Sequence, residues 1–109
     1  MGESTTARRR RVLMHGIPAG ILEEIEPGPG YRFTYKADYA GPPISLTMPV
    51  RPEPYSFTRF PPFFDGLLPE GSQLTALLQQ QKLDPGDYIG QLEAIGEDPV
   101  GAVSIEAIE

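Results

Sequence analysis

The chain has 109 residues, 39% of them hydrophobic, with no Cys and a formal net charge of −6, so it is long enough for one core and too short for two. The missing thiols exclude disulfides, thiolate metal sites and a cysteine nucleophile, and they fit a reducing compartment, so a cytoplasmic location is expected. No apolar run approaches the roughly 20 residues of a membrane span, and no signal-peptide pattern follows the basic start.

Residues 1–10 show no apolar period and carry Arg8, Arg9 and Arg10, which reads as a loose basic tail ahead of a domain over residues 11–109. Val12 to Met14 and Ile17 to Ile25 read as two strands joined at His15-Gly16. Tyr31, Phe33 and Tyr35 alternate with Arg32 and Thr34, the period of a strand with one buried face. Ile44, Leu46 and Met48 alternate in the same way and predict an edge strand ended by Pro49. The prolines between Pro49 and Pro62 deny a ladder its N–H donors and predict an irregular, polyproline-like crossing.

Helices are expected next. Phe63, Phe64, Leu67 and Leu68 suit one or two turns before Pro69. Ser72 is placed to cap a helix whose stripe is Leu74, Leu77 and Leu78, and which runs to about Lys82. A third helix opens at Asp84-Pro85-Gly86-Asp87, with Asp84 as cap, Pro85 in the first position and Tyr88, Leu92 and Ile95 inward. The chain closes with Val100 to Ile108, where Ala102, Val103, Ile105 and Ile108 suggest a last strand that returns to the sheet. The expected fold class is α+β, a single domain with a small, mainly antiparallel sheet and two or three short helices.

Catalysis needs a nucleophile with a base, a metal cluster or a phosphate cradle, and none stands out. One histidine, His15, cannot build a zinc site without cysteines. The acidic pairs Glu23/Glu24 and Glu97/Asp98 read as solvated faces, and no lysine follows the glycines at P-loop spacing. We therefore expect no enzyme activity, no cofactor, no metal and no catalytic residue. Arg8–Arg11 invite a DNA-contacting reading, but the rest of the chain is strongly acidic and should repel nucleic acid.

The run Phe63-Phe64-Asp65-Gly66-Leu67-Leu68-Pro69-Glu70-Gly71, followed by a short helix, Asp87-Tyr88 and Ile95-Gly96-Glu97-Asp98-Pro99-Val100-Gly101-Ala102-Val103, resembles the N-terminal domain of HipA-type serine/threonine kinases. Gly20-Ile21-Leu22, Phe33-Thr34-Tyr35 and Ile44 to Pro49 occupy the places of that domain's early strands. The resemblance implies a free-standing version of the domain, similar to HipS of tripartite HipBST toxin–antitoxin systems. Such a protein is the antitoxin of a HipT-like kinase toxin, in a complex with a HipB-like helix-turn-helix protein. DNA would then be reached only through the complex, and no membrane is involved. Two alternatives stand beside it: a regulatory domain cut from a longer HipA-like kinase, and a DNA-contacting accessory subunit.

The expected partner-binding residues are Phe57, Phe60, Phe63, Asp65, Gly66, Leu68, Pro69, Glu70, Gly71, Ser72 and Gln73. They join the strongest motif to more aromatic surface than so small a domain easily buries. Some free-standing members carry a bulky aromatic just after the Pro-Glu-Gly turn. This chain has Ser72 there and no Trp, so Phe60, Phe63 or Ser72–Gln73 would have to serve instead.

Overall fold

The computed structural model describes residues 5–26, 30–68, 71–95 and 102–108. Strands β1 (Thr5–Met14) and β2 (Ile17–Glu26) form an antiparallel hairpin. His15 and Gly16 join them with φ of +51° and +79°, the two positive values a type I′ turn requires. Strand β3 (Tyr31–Tyr35) pairs with β2, β4 (Tyr55–Phe57) with β3, and β5 (Val103–Ala107) with β1. The sheet order is β4-β3-β2-β1-β5, antiparallel throughout.

Register decides which residues share a face. Phe33 lies opposite Leu22 and Tyr55, and Val12 opposite Gly20 and Ile105. A bulge lets Val12 pair with Gly20 and Leu13 with Pro18, so Ala19 is the extra residue and is buried with Gly20. The inner face is covered by helices α1 (Pro62–Asp65) and α3 (Tyr88–Ile95), and α2 (Gly71–Gln81) packs against α3. Val12, Leu22, Phe33, Phe64, Ile89 and Leu92 meet there with no exposed surface. The outer face carries charge: Arg32 pairs with Glu23 at 3.0 Å and Arg11 with Glu106.

Several expectations are revised. The loose tail expected as far as residue 10 belongs to β1 from Thr5 onward, because Thr5 to Arg10 pair along β2 and gain its ladder. Ile44–Met48 is a turn rather than an edge strand. Ser45 and Thr47 bond each other at 2.9 Å, Thr47 N–H donates to Ser45 Oγ at 3.2 Å, and Met48 N–H to the Ser45 carbonyl at 3.0 Å. These local bonds outcompete a ladder. Beneath the turn the Tyr35 hydroxyl accepts from Ile44 N–H at 3.0 Å and donates to the Met48 carbonyl.

The proline-rich crossing contains a strand after all, β4, because its prolines flank Tyr55–Phe57 instead of interrupting it. Ser72 lies inside α2, which begins at Gly71 with φ of +60°. That helix ends on Lys82 in the left-handed region, with Leu83 N–H donating to the Leu78 carbonyl at 2.9 Å, a Schellman closure. Asp84–Asp87 forms a turn, closed by Asp87 N–H to the Asp84 carbonyl at 3.0 Å. Pro85 thus serves the turn, and Asp87 rather than Asp84 caps α3, its Oδ1 accepting Gly90 N–H at 3.1 Å.

Candidate partner-binding site

The candidate segment leaves the sheet at β4, passes through α1 and reaches the first turn of α2. Its geometry starts from Phe64. With Pro61 it is fully buried, its ring 5.9 Å from Phe33, and Pro62 sits at the start of α1, where a missing N–H costs nothing. This plug fixes how its neighbours face outward.

On one side lie Phe57 and Phe63, both half-buried, which line a cleft of about 320 Å³ with Thr47, Met48, Tyr55 and Pro62. On the other side Phe60 is half-buried, edge-on to Tyr31 at 5.2 Å and stacked on Tyr88 at 4.8 Å. Phe60 and Asp65 share a shallow trough with Tyr31, Arg59 and Tyr88. Asp65, Leu68 and Gly71 border a further cleft with Leu74, Pro85, Tyr88 and Gln91.

The expected residues are therefore divided rather than gathered into one patch. Leu68 is buried, whereas Gly66, Ser72 and Gln73 are exposed and border none of these clefts. Pro69 and Glu70 lie outside the described residues. Sequence reasoning missed Tyr31, Met48, Tyr55 and Gln91 as lining residues. Tyr31 is read as a strand residue and Tyr55 as part of an irregular crossing from their surroundings, and nothing in a lone glutamine signals burial. Gln91 is 1% exposed and donates from Nε2 to the Asp84 and Pro85 carbonyls at 3.1 and 3.0 Å.

An ion network stands behind the trough. Arg8 Nε bonds Glu24 at 2.9 Å, and Arg8 Nη2 reaches Asp87 Oδ1 at 2.7 Å. The hydrogen bond to Glu24 raises the Arg8 pKa against burial, and Asp87 adds to it. Burial alone would raise the Asp87 carboxyl, but the bonds from Arg8 and from Gly90 N–H, with the Arg8 and Arg10 charges, hold it below its ordinary value. Burial raises the Tyr31 phenol, and the Glu24 charge adds to the shift. Among the described residues no group of three His, Asp or Glu side chains is placed to hold a metal ion, and no helix is long and apolar enough to cross a membrane. The arrangement offers clefts and half-buried rings, the features of a docking surface.

Comparison with known proteins bears on the fold and the family. A solved N-terminal domain of HipA toxin superposes with a TM-score of 0.71 at 29% identity, covering 100% of both chains. An uncharacterized protein of Haemophilus influenzae is 33% identical over 99 residues, which span 91% of this chain and 92% of that protein. A putative kinase, Y4mE, of Sinorhizobium fredii is 38% identical over 63 residues, 58% of this chain but 15% of the kinase. The family model described as the HipA N-terminal domain matches residues 10–106, and the chain belongs to that family.

Proposed function

We propose that this chain is a free-standing antitoxin that binds a HipT-like serine/threonine kinase and suppresses it, with a HipB-like DNA-binding protein as third member of the complex. The observation that carries the reading is the Haemophilus relative: the match spans 92% of its length, so in that protein the domain is almost the whole chain. A domain of this family without its kinase can act on a kinase only in trans. The chain itself has no catalytic role in this reading and needs no cofactor.

Half-buried Phe57, Phe60 and Phe63 support a contact surface along Phe57–Gln73. The Phe60 and Phe63 rings are already ordered by neighbouring rings, so little conformational freedom is left to lose on binding. The similarity to Y4mE supports the second reading, a regulatory domain of a longer kinase. The DNA-contacting reading has less support, because Arg8 is engaged with Glu24 and Asp87, and Arg11 with Glu106.

Co-expression of this chain with the kinase of its own operon, with affinity capture and a growth assay, tests the proposal. We expect a stable complex and restored growth, and single alanine variants at Phe57 and Phe60 should weaken capture while remaining folded. A chain that neither captures the kinase nor restores growth overturns it.

A further inference from the structure

We infer that the cleft between α1, α2 and α3 is the receptor for one cationic side chain, an arginine, projecting from the protein partner. The identity of that partner rests on the function proposed above; the chemistry of the cleft does not. Its volume is about 370 Å³, room for one long side chain. Leu68, Leu74 and Pro85 supply apolar wall, and Asp65, Tyr88 and Gln91 supply the polar side-chain groups.

Gln91 determines what the cleft can accept. Two backbone carbonyls within 3.1 Å of its amide nitrogen take both N–H groups, so only its acceptor oxygen is left to offer. Asp65 carries an exposed carboxylate that no hydrogen bond or ion pair engages among the described residues. Tyr88 can donate or accept. An acceptor amide and an unpaired carboxylate lining one cleft select a donor that carries positive charge.

Arginine fits better than lysine. Its planar fork can donate to two separate acceptors at once, while its methylene stem lies along Leu68, Leu74 and Pro85. Arg59 shares the adjoining trough with Asp65 but forms no ion pair with it among the described residues. The net charge of −6 draws a cationic partner toward the whole molecule.

Two measurements test this. In the first, N-acetyl-arginine amide and its neutral citrulline counterpart are titrated into the whole chain while the Leu68 and Leu74 methyl signals and the Gln91 side-chain amide signals are followed by NMR. Saturable shifts with the arginine amide, lost with citrulline amide and lost in Asp65→Asn, are expected. Equal response to both amides, or none to either, overturns the receptor.

In the second, affinity for the operon's kinase is compared for wild type and Asp65→Asn at low and high salt. The variant is expected to bind about tenfold more weakly at low salt, the effect of one lost charged hydrogen bond, and to show less salt dependence. Unchanged affinity removes the cleft from the complex while leaving the antitoxin reading intact. Absence of any binding by wild type instead overturns the antitoxin reading, and the amide titration then decides the cleft alone.

Discussion

Arg8 and Asp87 stand 2.7 Å apart, and this contact ties the first strand to the cap of α3. The same Asp87 Oδ1 accepts Gly90 N–H, so one carboxylate closes the helix start and holds the strand. Arg8→Ala should destabilise the fold by about 1–2 kcal/mol, a charged hydrogen-bond value reduced because the side chain is about a third exposed. Arg9→Ala, on the exposed side of the same strand, should change stability by less than about 0.5 kcal/mol. Urea unfolding of both variants, with Asp87→Ala and the double mutant, checks this. A coupling energy near zero between positions 8 and 87 would contradict it.

The same pair gives a pH dependence with a definite sign. The Asp87 carboxyl is held below its ordinary value in the folded protein. Its contribution is therefore complete above the unfolded carboxyl's pKa of about 4 and is lost as pH falls through the lower folded value. The stability gap between wild type and Arg8→Ala should be constant at neutral pH and shrink below about pH 4. Thermal melts from pH 7 to pH 3 would show it.

Gly20 has no room for a side chain. A Cβ there would stand 2.8 Å from Phe33 Cζ and closer still to the Thr34 carbonyl oxygen. Gly20→Ala should cost about 1–3 kcal/mol through overpacking. Adding Phe33→Leu should recover only part of it, because the carbonyl contact is backbone and cannot move aside. Denaturation midpoints of the single and double variants test the point.

The aromatic residues of the candidate segment should separate by burial. Phe64→Ala empties a fully buried site and should cost about 3–5 kcal/mol. Phe57→Ala, Phe60→Ala and Phe63→Ala remove half-buried rings and should cost about 1–2 kcal/mol each. Equal losses at all four positions would mean that the segment is core throughout.

His15 occupies a left-handed position, φ +51°, in the β1–β2 turn. Asparagine tolerates that conformation better, so His15→Asn should raise stability by up to about 1 kcal/mol. A lower melting temperature would show that His15 has a packing role that its exposure does not suggest.

Features carried by local pattern were legible in the chain: the His15–Gly16 hairpin, the alternation of Tyr31, Phe33 and Tyr35, the Leu74-Leu77-Leu78 stripe and the return of β5. Each depends on which face of a nearby turn or strand is apolar, and neighbouring residues state that directly. Period alone also misled, since Ile44, Leu46 and Met48 alternate like a strand while the Ser45 and Thr47 hydroxyls fold them into a turn that leaves Leu46 96% exposed. In the candidate site, the run from Phe63 to Gly71 was legible as a motif. Its division into separate clefts was not legible, because Phe64 points inward only once Phe33 is there to receive it. The partnership of Arg8 with Asp87 and the burial of Gln91 were equally hidden, since each depends on where α3 crosses the sheet. Local sequence determined which elements form and which faces are apolar; tertiary packing alone decided which distant polar groups meet, because a buried donor or acceptor takes the partner that the crossing of elements brings within hydrogen-bond reach.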